Sequence, residues 1–182
     1  MIKPVQALYH VIVSPINFVS FYRYQSPLKL GLLVMALVSA AKLPSVYNTQ
    51  IGLVSDWIML MLGYSILLGL QAMSTDFFAQ MLHLNGKSLT LFSWFSIALL
   101  PLCLEPVIFL LSVSIPLSHL WISVNTLLGF WVIIWQIYMI KQVYQSSVRL
   151  SVLLYVLPIV FLVIIAGFIA LLGAATLQVF DV

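Results

Sequence analysis

The sequence predicts an all-α fold: a polytopic helical membrane bundle of five transmembrane helices preceded by an N-terminal interfacial helical segment. Three observations carry this. Hydrophobic residues make up 64% of the chain and charged residues only 6%, where a soluble domain has roughly 25% charged; a water-facing globule would lack polar surface to cover itself. Mean hydropathy is +1.20. The few charges fall mostly between or near the ends of long apolar runs, as hydrocarbon requires.

Residues 1–27 form an N-terminal amphipathic, interfacial segment. Val5, Leu8, Ile12, Ile16 and Val19 recur at spacings of three and four, the period of a helix with one apolar face. Ser14-Pro15 reads as a cap followed by a first-turn proline. Phe18, Phe21, Tyr22 and Arg23 suit the headgroup region, which accepts aromatic rings and cations together. A helix packed on the bundle is the alternative. Pro4, Pro15, His10 and Asn17 interrupt what would be the apolar run of a cleavable signal peptide.

Residues 28–182 form one membrane domain with spans at about 28–46, 57–76, 88–111, 120–140 and 150–177. The first is the shortest uncharged stretch, Leu30 to Ala41; it reaches crossing length only with Lys29 and Lys42 near its ends, where lysine snorkels to the headgroups. The second runs from Trp57 to Asp76. The third follows the turn Asn85-Gly86-Lys87 and contains Pro101, Glu105 and Pro106. The fourth ends near Lys141. The fifth contains Pro158, Gly167 and Gly173 and is long enough to tilt or kink. No Ser-, Gly- or Pro-rich linker divides the chain, so consecutive spans are expected to be antiparallel neighbours.

With the N-terminus in the cytosol, five alternating spans place Lys3, Arg23, Lys29, Lys87, Lys141 and Arg149 on the cytosolic side and Lys42 alone opposite. Basic residues in short loops favour the cytosol, so this split supports the orientation and an odd span number, with the C-terminus on the opposite side. Seven basic residues in all are too few and too scattered for a nucleic-acid surface. The single cysteine, Cys103, excludes an internal disulfide and a cysteine-based zinc site.

Glu105 is the costliest residue to place. Counted from Leu91 it lies about 21 Å along the third span, past the midplane towards the non-cytosolic side. Pro101 and Pro106 each remove a backbone donor and free a carbonyl one turn earlier. Glu105 with Pro101 and Pro106 would then form a polar pocket for a substrate, an ion or a coupled proton, or Glu105 is an interfacial carboxylate at a kinked helix end. Asp56, Asp76 and His83 match no metal-ligand spacing, so no metal and no cofactor is predicted. No nucleophile elbow, phosphate-cradling loop or dinucleotide fingerprint occurs, and Asp56 and Asp76 fall at opposite ends of the second span, so no enzyme is predicted. Ala166, Gly167, Ala170, Gly173 and Ala174 bring small residues to the fifth span, which allow close helix packing. Ser65 and Gly69 make a weaker stripe on the second span. Asn125 and Gln136 are expected to bond between helices.

Several segments together resemble the Yip family of multi-span membrane proteins, named for interaction with Ypt/Rab GTPases. "VSPINFVSFYRYQSP" is similar to the stretch before that domain's first span. "NGKSLTLFSWFSIALLPLCLEP" resembles its third span, with a Gly-Lys turn and a proline deep in the helix. "WVIIWQIYMIKQVYQSSVRLSVLLYVLP" looks like its fourth span, short cytosolic loop and fifth span. The resemblance is to the short bacterial-type members. It implies residence in a bacterial inner (cytoplasmic) membrane and, from the eukaryotic members, a role in membrane organisation or trafficking. The expected partners are the lipid bilayer and a membrane protein or a second copy of the chain, with no nucleic acid. The competing expectation is a small transporter or channel component with Glu105 as coupling or pore residue.

Overall fold

The computed structural model describes residues 27–46, 52–114 and 118–180; apart from Pro27, the segment expected over 1–27 lies outside the described residues. The elements in chain order are α1 (Leu28–Val46), α2 (Leu53–Met81), α3 (Ser88–Ala98), a 3-10 turn (Leu100–Leu104), α4 (Glu105–Ser114), α5 (Ser118–Tyr144) and α6 (Val148–Phe180). No strand occurs among the described residues. Among the described residues, four stretches are long and apolar enough to cross a membrane: Leu53–Met81, Ser88–Ser112, Trp121–Tyr144 and Val148–Ile165.

The fold is that of a bundle turned outward to lipid. On α2, Ile58, Leu62, Ile66, Leu70, Met73, Phe77 and Met81 are exposed at helical spacing. On α5, Ile122, Leu127, Phe130 and Ile134 are exposed likewise. Such continuous apolar surface is not found on a water-soluble monomer.

Side-chain contacts fix the direction of each pass. Gly31 meets Ser93 and Ser96 and Lys42 meets Glu105, so α1 runs parallel to α3 and α4. The Trp57 indole N–H donates to the Ala36 carbonyl at 3.2 Å, where α2 returns beside α1. Gln71 faces Gln136 and Asp76 faces Tyr144, so α2 and α5 run parallel. Tyr155 bonds back to Gln136, so α6 is antiparallel to α5. Consecutive passes therefore alternate. Lys29, Lys87, Lys141 and Arg149 collect at one end, and Lys42 with Asp56 and Glu105 at the other.

Helix α3 is the centre. Leu91, Trp94, Phe95, Ile97 and Ala98 are buried on all its faces, as expected of a helix that is apolar all round. In lipid this packing is driven by dispersion contacts rather than by exclusion of water. One helix backbone comes close to another at Gly31, where an added Cβ would stand 2.8 Å from the Ser93 carbonyl oxygen. Ser93 and Ser96 serve here because they are small and their hydroxyls are satisfied on their own helix, by Leu89 O and Phe92 O, each at 2.8 Å. Of the stripe expected on the fifth span, only Gly167 has described surroundings. An added Cβ at Gly167 would meet nothing within 4 Å, and Val163, Ile164, Ile165 and Phe168 around it are exposed. The side chains of Ala166, Ala170 and Ala174, and the surroundings of Gly173, lie outside the described residues. Gly69 is likewise open.

The spans expected at 57–76, 120–140 and 150–177 belong to longer helices, because polarity does not end a helix; capping does. Helix α2 runs past Asp76 to a closing turn in which His83 N–H donates to Gln80 O at 2.9 Å and Leu84 N–H to Ala79 O at 3.0 Å. That pairing needs a left-handed residue, and His83 supplies it with φ 61°. Helix α5 closes similarly at Gln145, φ 52°, with Ser146 N–H donating to Lys141 O at 3.1 Å. The span expected at 88–111 is in fact interrupted. Pro101 has no N–H to offer Ile97, and the chain tightens into 3-10 bonding, with Leu102 N–H on Leu99 O at 2.8 Å.

Candidate functional site

The break in the third span places Glu105. The 3-10 turn rises about 2 Å per residue against about 1.5 Å in the α-helix, so Glu105 stands about 28 Å from Ser88, close to a hydrocarbon thickness of about 30 Å. It opens α4, and its own N–H donates to Leu102 O, the carbonyl that Pro106 leaves free. Pro101 is buried and Pro106 half-buried. The Glu105 side chain is 3% exposed, and its Oε2 lies 2.7 Å from Lys42 Nζ, whose side chain is 22% exposed. Apart from that ammonium, Glu105 Oε2 meets no hydrogen-bond donor among the described residues. Glu105 is thus held in an ion pair that ties the last turns of α1 to the start of α4.

At the same end, Asp56 is buried in the first turn of α2. Asp56 and Tyr64 also line a groove of about 410 Å³ with Met59, Leu60, Gly63 and Leu67. Met59 and Leu67 are among the most exposed apolar residues of α2. The groove therefore opens sideways onto the lipid-facing surface and does not lead through the bundle.

At the other end Asp76 is buried and fully engaged. Oδ1 accepts from the Lys87 backbone N–H at 2.7 Å and from the Tyr144 hydroxyl, and Oδ2 accepts from Gln80 Nε2 at 2.9 Å. Lys87 Nζ donates to Val143 O at 3.1 Å. One carboxylate thus joins the end of α2, the start of α3 and the last turn of α5. Gly86 lies close by: an added Cβ would approach Gln80 Nε2 to 2.7 Å and Asp76 Oδ2 to 3.3 Å, so the end of the Gln80 side chain would have to shift. Between the two ends, the buried Gln136 accepts from Tyr155 Oη at 3.0 Å and from Gln71 Nε2 at 3.4 Å, linking α2, α5 and α6. Asp56 and Asp76 are twenty residues apart on one helix, or about 30 Å, the hydrocarbon thickness of a bilayer.

Sequence reasoning singled out Glu105 and not Lys42, although both were placed at the same membrane side; the signal was the lone basic residue opposite the other six. Asp76 was read as an ordinary helix-end residue, and nothing in the spacing marks Tyr144 as its partner. Gln136 does bond between helices, whereas Asn125 makes no hydrogen bond among the described residues. No group of three or more His, Cys, Asp or Glu is gathered among the described residues.

Comparison of the chain with protein-family models, with curated proteins and with solved structures yields no match.

Proposed function

We propose that this chain is a non-enzymatic integral membrane protein with five spans, α1 being the fifth, that acts through protein or lipid interactions in the bilayer. The carrying observation is that two buried carboxylates are engaged within the bundle: Glu105 by Lys42, and Asp76 by Tyr144, Gln80 and the Lys87 amide. An intramembrane carboxylate engaged in this way holds helices together, and its bonding leaves the outer apolar faces as the surfaces that meet other molecules. The gathering of Lys29, Lys87, Lys141 and Arg149 at one end supports a cytosolic location for that end. A Yip-type, bacterial inner-membrane assignment is supported by the quoted segments alone, including the Gly86-Lys87 turn and the proline deep in the third span.

A small transporter or channel with Glu105 at its centre is the second reading, favoured by the broken third span beside a carboxylate. Proteoliposomes separate the two. The first reading expects proton and cation flux at the level of empty vesicles, for the wild type and for Glu105→Gln alike. A pH-dependent flux abolished by Glu105→Gln would establish the second.

A further inference from the structure

The two closing turns at the basic end leave a feature that the bundle does not use. Between the loop after α2 and the loop after α5 lies a cleft of about 340 Å³ lined by His83, Asn85, Lys87, Tyr144 and Gln145 with Leu84 and Val143. His83 and Gln145 both have left-handed backbones, and both are exposed, as is Asn85. We infer that this cleft binds the phosphate of an anionic phospholipid headgroup, an inference that rests on the membrane reading above and deepens it.

Four observations lead there. The first is depth: the cleft lies beyond Asp76, about one hydrocarbon thickness from Asp56, which is headgroup level for a chain that spans. The second is charge. Lys87 lines the cleft, Lys141 stands one turn before Gln145, and exposed Arg149 lies in the first turn of α6. The acid beside it, Asp76, already accepts three hydrogen bonds. The third is that the helix C-termini meeting here are closed. The carbonyls of Ala79, Gln80 and Lys141 accept loop N–H groups, and Lys87 Nζ covers Val143 O, so fewer bare carbonyls remain to repel an anion. The fourth is chemistry: the imidazole of His83, the amides of Asn85 and Gln145 and the ammonium of Lys87 line one cleft, donors of the kind that hold a phosphate, with the charge of Arg149 four residues beyond Gln145.

The test uses the full chain in neutral detergent, titrated by native mass spectrometry with dioleoyl phosphatidylglycerol and, separately, with dioleoyl phosphatidylcholine. The phosphatidylglycerol is expected to bind on the order of tenfold tighter or more. His83→Asn with Arg149→Gln is expected to erase that preference while leaving phosphatidylcholine binding and the melting temperature in place, because asparagine tolerates the left-handed backbone. Arg149→Glu is the second variant; an acid in a first helical turn favours the helix, so folding is retained while the charge reverses. Equal affinity for the two lipids, or a preference that survives in both variants, overturns the inference. Displacement of the lipid by inorganic phosphate at equal concentration also overturns it, since the site would then serve a soluble phosphate. None of these outcomes touches the membrane reading, which fails separately if the chain stays monodisperse in buffer without detergent.

Discussion

Replacing Lys42 by methionine keeps the length and the apolar stem of the side chain and removes only the ammonium. Glu105 would then be left 3% exposed with no other donor on Oε2 among the described residues. Removing one partner of a buried ion pair costs about 3–5 kcal/mol, because the remaining charge loses its compensation. Lys42 is itself 22% exposed, so solvent relieves part of that, and a loss of about 3 kcal/mol is expected. Glu105→Gln leaves an ammonium near the bilayer surface, where it can reach water, and should cost less, about 1–2 kcal/mol. The double variant Lys42→Met with Glu105→Gln contains no charge at the site and should lose only about 1.5 kcal/mol, giving a coupling of about 3 kcal/mol. The assay is reversible unfolding in mixed detergent and SDS, with all four proteins compared. Additive losses in the double variant would refute the claim that Glu105 is held by Lys42.

Three further predictions follow from the packing. Gly31→Leu should prevent α1 from seating on α3, since its first side-chain carbon would collide with the Ser93 backbone; the expected loss of about 3 kcal/mol or more would appear as protease sensitivity around α1, and a normally folded variant would argue against that crossing. Gly129→Ala, by contrast, meets nothing within 4 Å and should stabilise α5 by up to about 1 kcal/mol through helix propensity; a destabilised variant would reveal a neighbour on that face. Tyr144→Phe removes one donor from the Asp76 carboxylate and should cost about 1.5–3 kcal/mol, read by the same unfolding assay, with Gln80→Ala weaker because Gln80 is exposed.

How much of this was legible in the sequence depends on the kind of signal. The apolar runs announced the helices, since length and hydropathy suffice for that. The helices extend beyond the spans read from charge: Asp76 sits within α2 and accepts from Tyr144, sixty-eight residues on, and no local pattern encodes that pairing. Glu105 was visible as an outlier by cost alone. Its partner was not, because Lys42 lies on α1, far away in sequence, and again nothing local marks the pair. The row around Gly167 is dense in sequence, yet the close crossing uses one glycine, Gly31, against two serines that read as unremarkable polar residues. Propensity and periodicity report on a helix by itself; partner choice is a property of the bundle.

The most direct test of the central claim uses two single cysteines in a Cys103→Ser background, Ser55→Cys at the Asp56 end and Asn85→Cys at the basic end, both at exposed positions. Membrane-impermeant maleimide applied to intact spheroplasts is predicted to label position 55 at once and position 85 only after the membrane is opened. Labelling of both positions from the same side without permeabilisation would contradict the account, because α2 would then not cross the bilayer.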